Sequence, residues 1–191
     1  GQIVDINLEI GDAVISCSEV KDLQSTINQV RQCIRVWQKK PFALSQSPFN
    51  ETVWVDLDCE VRADVRPLFE YCKGGFGAIS DEPHYEKWCN KMGILNGRGY
   101  DTSVVAYKKD SQVLNSWVEA TQNWKEEFWG DDRILSHVIE SRGYAVNVIP
   151  EEWSSNFARR NPAAKIVHYP TANGKAEIVK QLIRGQLFHT C

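Results

Sequence analysis

The run Thr52-Val53-Trp54-Val55-Asp56-Leu57-Asp58-Cys59-Glu60-Val61 carries four residues of strand character straight into two carboxylates one residue apart. In an open α/β sheet, ligands bind beyond the carboxyl ends of the strands. Asp56 and Asp58 share a parity in an extended chain, so both can face one crevice. Two hard oxygen donors on one side suit Mg²⁺ or Mn²⁺ rather than Zn²⁺. The plain alternative is a strand that ends in a solvated acidic turn. Two more places carry chemistry. Gly130-Asp131-Asp132 puts a pair of carboxylates at an expected helix start, where either can act on a substrate or simply cap the helix. His168, within Ile166-Val167-His168-Tyr169, can be a metal ligand or a satisfied buried histidine.

These groups must be held by a scaffold, and the totals bound what it can be. A chain of 191 residues is enough for one domain with a real core. Hydrophobic content of 42% and charged content of 25% are ordinary for a globular protein, and a net charge of -3 leaves no footprint for nucleic acid or an anionic membrane. No apolar run has the length of a membrane span, and no signal-peptide pattern opens the chain. The six cysteines show no Cys-x-x-Cys spacing, which argues against a zinc knuckle. We expect reduced thiols and a cytoplasmic setting.

Periodicity supplies the elements. Strands are expected within Ile3 to Ile10 and over Ala13 to Cys17, followed by Ser18 as a helix N-cap. Val20, Leu23, Ile27, Val30, Ile34 and Trp37 then recur at helical spacing. Pro41 opens a second helix, Pro41 to Ser47, which Pro48 stops. A short helix from Arg66 to Tyr71 leads to Gly75 to Ile79, a buried strand whose glycines admit close approach by a ligand or another backbone. Pro83 to Met92 reads as a short helix or lid, and Val104 to Tyr107 as a strand. Val113, Leu114, Trp117, Ala120, Trp124 and Phe128 mark an amphipathic helix. A further helix starts at Gly130-Asp131-Asp132 and is closed by Gly143. Strands at Ala145 to Ile149 and Ile166 to Tyr169 and a helix from Lys175 to Ile183 complete the chain. Strands alternating with helices, without repeat or linker, predict one α/β domain.

Taken together, Lys39-Lys40-Pro41-Phe42-Ala43-Leu44-Ser45-Gln46-Ser47-Pro48-Phe49 followed by Val55-Asp56-Leu57-Asp58 resembles nucleotide-sugar glycosyltransferases of the GT-A fold. Those enzymes carry Lys-x-x-Ala-Leu-x-x-Ser-x-Phe before a strand ending Leu-Asp-x-Asp. The order of later motifs is most similar to glycosyltransferase family 8. Tyr100-Asp101-Thr102-Ser103-Val104 stands where that family has Phe-Asn-x-Gly-Val, and Gly130-Asp131-Asp132 where it has an Asp-Gln pair. Val148-Ile149-Pro150 with Trp153 and Asn156 resembles Leu-Pro-x-x-Trp-Asn, and Ile166-Val167-His168-Tyr169 with Gly174-Lys175 its His-Phe strand and lysine. The departures are Asp101 for Asn, Ser103 for Gly, Asp132 for Gln, and Lys175 one residue further from His168. The stretch ahead of Asp56 is also shorter than these enzymes use, so either the nucleotide half is trimmed or the chain begins inside a longer protein.

The resemblance implies a GT-A (Rossmann-like) mixed sheet flanked by helices and a metal-dependent, retaining transfer of sugar from a nucleotide-diphosphate sugar. The donor would be a UDP- or GDP-sugar and the acceptor a saccharide or protein. Asp56, Asp58 and His168 would hold Mn²⁺ or Mg²⁺, with Lys40, Asp101, Ser103 and Lys175 on the donor. Asp131 and Asp132 would stand beside the anomeric carbon, where a carboxylate stabilises or traps an oxocarbenium-like sugar. Two other readings stay open. One is a catalytically silent binding or interaction domain on the same scaffold. The other is a phosphatase of the haloacid dehalogenase type, which also pairs an Asp-x-Asp strand with a later Gly-Asp-Asp.

Overall fold

The computed structural model of the protein describes residues 6–10, 13–17, 32, 35–80, 99–123 and 130–184. The chain adopts the expected α/β architecture, a mixed sheet flanked by helices. In chain order the elements are β1 (Ile6–Ile10), β2 (Ala13–Cys17), α1 (Lys40–Ser45), β3 (Glu51–Val55), β4 (Cys59–Val61), a 3₁₀ helix over Arg66–Cys72, and β5 (Phe76–Ser80). Then come β6 (Tyr100–Lys108), α2 (Gln112–Asn123), α3 (Asp131–Arg142), β7 (Asn147–Ile149), β8 (Ser155–Asn156), β9 (Ile166–His168) and α4 (Thr171–Ile183). β1 and β2 form an antiparallel hairpin. The central sheet has the order β3-β6-β5-β7, and a small second sheet has the order β4-β9-β8. In the central sheet β6 runs antiparallel to both β3 and β5, and β5 runs parallel to β7.

β6 is apolar without alternation from Val104 to Tyr107 because both of its faces are covered. Val105 and Tyr107 join Phe76, Trp117, Ile134 and Leu135 under α1, α2 and α3. Val104 and Ala106 join Leu68, Ile149, Trp153 and Ile166 on the opposite side. Fully buried side chains such as Trp117, Tyr107 and Phe76 each contribute ~1.5–3 kcal/mol to this core. Two polar tips brace the helices as well as packing. The Tyr107 hydroxyl donates to the Leu44 carbonyl of α1 at 2.8 Å, and Trp117 Nε1 donates to the Asp131 carbonyl at the start of α3 at 3.0 Å.

Several expected elements differ in extent. The helix expected to run to Ser47 ends at Ser45, and the closing helix begins at Thr171, one turn ahead of Lys175. The short helix after β4 is of the 3₁₀ type and runs one residue further, to Cys72, with Pro at its first turn. Gly77 justifies its place in β5, since a Cβ there would lie 2.8 Å from Tyr71 Cβ, so the close approach is made by the protein's own chain. Gly143 takes the left-handed conformation, φ 62°, that ends α3. The apolar stripe expected on α4 is mostly exposed: Ile178 packs against Tyr169, whereas Val179, Leu182 and Ile183 face outward. Of the helix expected from Val20 to Trp37, residues 32 and 35–37 are described and are helical; the rest of it, the lid from Pro83 to Met92, and Trp124 and Phe128 lie outside the described residues. No helix among the described residues is long and apolar enough to cross a membrane.

Candidate functional site

Asp56 follows the last residue of β3, and its N–H donates to the Ser103 carbonyl of β6 at 2.8 Å. Its Oδ1 accepts from Trp54 Nε1 at 2.6 Å and its Oδ2 from Lys40 Nζ at 2.8 Å. Trp54 can reach because it shares Asp56's side of the extended chain. Lys40 is brought in by α1, whose Pro41 and Leu44 are buried. The same ammonium lies 3.1 Å from Thr102 Oγ1 and 3.3 Å from Asp131 Oδ2, and the Thr102 hydroxyl donates to Asp131 at 2.8 Å. One lysine thus holds two carboxylates from distant parts of the chain. Burial pulls the Lys40 ammonium down, but Asp131 and then Asp56 more than offset this, and it titrates above its ordinary value. Burial pushes the Asp56 carboxyl up, and Lys40 and Trp54 return only part of the shift.

Asp58 lies across a tight turn in which Cys59 N–H donates to the Asp56 carbonyl at 3.1 Å, with Leu57 wholly exposed at the tip. Here β4 begins. Its antiparallel pairing with β9 sets Cys59 opposite His168, and Tyr169 N–H donates to the Asp58 carbonyl at 2.9 Å. Short as they are, these two strands bring together side chains that lie far apart in sequence. His168 Nε2 lies 3.5 Å from Asp58 Oδ1, its Nδ1 lies 3.9 Å from Asp101 Oδ2, and Lys175 Nζ donates to Asp58 Oδ2 at 2.9 Å. Lys175 reaches Asp58 because α4 packs hard on the end of β9: a Cβ at Gly174 would lie 2.5 Å from the Tyr169 carbonyl carbon. Burial would raise the Asp58 carboxyl, but hydrogen bonds from His168 and Lys175 hold it well below the usual carboxylate range. Burial also lowers the His168 imidazolium, and Asp58 and Asp101 outweigh this, so its pKa is raised.

A break in the β5–β6 ladder joins these two halves. Ala78 pairs with Val105, but the next residue, Ile79, pairs with Asp101, so Thr102 to Val104 are left without partners on β5. Such an irregularity re-aims side chains. Here Thr102 turns to Asp131 and Lys40, and Asp101 turns toward His168 while its Oδ1 accepts from Ser103 N–H at 2.6 Å. The Ser103 hydroxyl is buried against that of Ser154 at 2.5 Å, so Ser103 serves the site through its backbone.

Of the residues singled out from sequence, Lys40, Asp56, Asp58, Asp101, Asp131, His168 and Lys175 converge, and Ser103 sits beneath them. Asp132 stands apart. It is in the first turn of α3, which carries both aspartates behind Gly130 as the N-cap. Its Oδ1 folds back to within 2.2 Å of where a Gly130 Cβ would be, and its Oδ2 lies 3.6 Å from Arg133 Nε. Trp54 and Thr102 escaped the sequence reading. Trp54 had a signal, two residues before Asp56 in a strand, whereas Thr102 acquires its role only from the ladder break. Cys59, adjacent to Asp58, was passed over when hard ions were favoured.

The donor set fits a divalent cation. Asp58 and His168 offer oxygen and nitrogen on one side, Asp101 Oδ2 faces the far ring nitrogen at 3.9 Å, and the Lys175 ammonium pairs with Asp58 Oδ2 at 2.9 Å. Asp56 is a weaker donor, since both its oxygens are engaged.

No protein-family model and no curated protein matches the sequence. Among solved structures the chain is similar to the WbbM bifunctional glycosyltransferase in its apo form, with 19% sequence identity and a TM-score of 0.49. The match covers 71% of this chain and 31% of that one. So loose a likeness carries nothing about chemistry, and the functional reading rests on the side chains above.

Proposed function

We propose that the protein is a metal-dependent glycosyltransferase that uses a nucleotide-diphosphate sugar. The observation that carries this reading is the meeting of Asp58, His168 and Lys175 at the carboxyl end of β3, with Nε2–Oδ1 at 3.5 Å and Nζ–Oδ2 at 2.9 Å. A diphosphate leaving group needs its developing charge neutralised, and Mn²⁺ or Mg²⁺ held by Asp58 and His168, with Asp56 behind them, would supply that when bound. Lys175, largely exposed at 62%, is free to swing from Asp58 to a phosphate oxygen as a point charge. Asp101 faces the far nitrogen of the His168 ring at 3.9 Å and adds negative charge beside it. Lys40 keeps Asp56 and Asp131 in place by pairing with both carboxylates.

As the anomeric carbon–oxygen bond to the diphosphate breaks, positive charge grows on the sugar, and a carboxylate on that side lowers the barrier. Asp131 is paired with Lys40 and accepts a hydrogen bond from Thr102, so the role falls to Asp132, one residue on, which would have to turn from Gly130 toward the sugar. The donor sugar is held as UDP- or GDP-linked, and transfer to a saccharide or protein acceptor is taken as retaining, from the His168-Tyr169 resemblance.

The silent-domain reading draws on a specific observation, the saturation of Asp56 and Asp131 by Lys40. The phosphatase reading fares worse: Asp56 ends a strand whose neighbour β6 is antiparallel, and the described element preceding Gly130 is the helix α2 rather than a strand. A thermal-shift panel with UDP, GDP and their sugars, with and without Mn²⁺, followed by assay of sugar release, tests the proposal. Mn²⁺-dependent stabilisation with slow donor hydrolysis is expected. Stabilisation without any hydrolysis or transfer assigns the silent domain, and no Mn²⁺-dependent shift with any nucleotide overturns the reading.

A further inference from the structure

The antiparallel register that places Cys59 opposite His168 has a chemical consequence. Residues directly opposite in such a pair project to the same side of the sheet. A Cys59 sulfur, a His168 nitrogen and an Asp58 carboxylate oxygen accordingly all lie within 4.8 Å of one another. A four-coordinate ion with bonds of ~2.0–2.3 Å to oxygen, nitrogen and sulfur would draw these three atoms closer together than this. All three residues are half-buried, and Cys59 is a free thiol. Mg²⁺ accepts hard oxygen ligands and keeps its waters, whereas a mixed sulfur, nitrogen and oxygen set selects softer divalent ions.

We propose that Cys59 is a third protein ligand of the cation bound by Asp58 and His168, so that the site takes a thiophilic divalent ion, Zn²⁺ or Co²⁺, in preference to Mg²⁺. This rests on the reading of Asp58 and His168 as cation ligands and adds the sulfur to it. On binding, the Cys59 S–H bond breaks, its proton goes to solvent and the sulfur–metal bond forms with the electron pair left on sulfur. The ion does not change oxidation state. A fourth position remains for water or a diphosphate oxygen, the open coordination that a reactive site needs.

The test is a Co²⁺ titration of the reduced full chain under anaerobic conditions, followed by absorption. The visible ligand-field bands report binding, and a near-ultraviolet charge-transfer band reports a sulfur ligand. We expect both in the wild type. Cys59→Ser should lose the near-ultraviolet band, keep the visible bands and bind Co²⁺ at least ~10-fold more weakly. A Co²⁺ complex without the sulfur band, or a band that survives in Cys59→Ser, overturns the inference and leaves the Asp58–His168 site standing. No binding of Co²⁺ or Mn²⁺ overturns both. Should Cys59→Ser fold poorly, iodoacetamide mapping of the unmutated chain decides the matter. Zn²⁺ should protect Cys59 from alkylation relative to chelated protein, and equal labelling would overturn the assignment.

Discussion

Asp56 and Asp58 are two residues apart and chemically identical, yet the fold gives them opposite surroundings. Asp56 is closed in by Lys40 and Trp54, shares its lysine with Asp131, and belongs to elements anchored in the main core through Tyr107 and Trp117. Asp58 sits on a small sheet of two- and three-residue strands, and its partners are an imidazole and a largely exposed lysine. Burial dominates the first and raises its carboxyl. Hydrogen bonds and charge dominate the second and lower it. One carboxylate is thereby committed to tying α1, β3 and α3 together, and the other is kept ionised with partners that can leave it. An Asp-x-Asp motif need not contribute two equal ligands.

The largest effect that could break this contrast is on stability. Lys40→Met leaves Asp56 and Asp131 facing each other without their cation, and loss of one partner from a buried ionic group costs ~3–5 kcal/mol. Chemical denaturation should show that loss at pH 8. With Lys40 gone the Asp56 carboxyl rises further, so the folded form takes up a proton as pH falls and the deficit shrinks toward pH 5. A variant as stable as wild type at pH 8 would mean that the Lys40 cluster is not structural.

Asp58→Asn should act on binding as well as on stability. The partners of Asp58 are a half-buried imidazole and a largely exposed lysine, and loss of charged hydrogen bonds of this kind should cost about 1–3 kcal/mol, less than the Lys40 substitution. Mn²⁺-dependent affinity for UDP or GDP should fall by about 100-fold. Calorimetry on the same preparation gives both numbers. An unchanged Mn²⁺-dependent affinity would remove Asp58 from the site.

The sequence disclosed these two halves unequally. β3, β5, β6, α2 and α3 were legible because long apolar runs and three–four spacing survive in a core with both sheet faces covered. Asp56, Asp58, His168 and Lys175 were legible only as members of an ordered set of motifs. The second sheet was legible only in β9, expected within Ile166 to Tyr169: β4 and β8 have three and two residues, too few to display a period. The clamp on Asp56 was hidden for another reason. Lys40, Thr102 and Asp131 come from three elements, and nothing local says that one ammonium will serve all three. The exposed stripe on α4 shows the converse, periodicity without burial.

Gly174→Ala probes the joint by which the open half is held. The new methyl would meet the Tyr169 backbone at 2.5 Å, and an overpacked contact of this kind costs ~1–3 kcal/mol. Lifting α4 should carry Lys175 from Asp58 and weaken nucleotide-diphosphate binding about 10-fold, a loss on the order of 1.4 kcal/mol. The Lys40 cluster, anchored elsewhere, should keep the pH dependence it has in wild type. Loss of stability with full diphosphate affinity would show that Lys175 does not need α4 seated on β9.

The smallest effect is the most discriminating, because metal-free and metal-bound proteins should respond to pH with opposite signs. In the chelated protein, the raised His168 pKa means that its pairing with Asp58 and Asp101 stabilises the fold fully below the ordinary imidazole value near ~6.5. That contribution is lost as pH rises through the higher folded value. Asp58 works from the other side: its folded pKa is lowered, so its contribution is present above the ordinary carboxylate value and is lost only as pH falls toward the folded one. Stability from the pair is therefore greatest in the mildly acidic range and should fall from there toward pH 9 by under about 1 kcal/mol, seen as a downward drift in melting temperature. With Mn²⁺ the imidazole must be neutral to bind, so the increment in melting temperature due to metal should grow over the same interval. His168→Gln should flatten both curves at once. If Mn²⁺ stabilises the chain equally at pH 6 and pH 9, His168 is not a ligand, and the contrast between the two aspartates loses its chemical meaning.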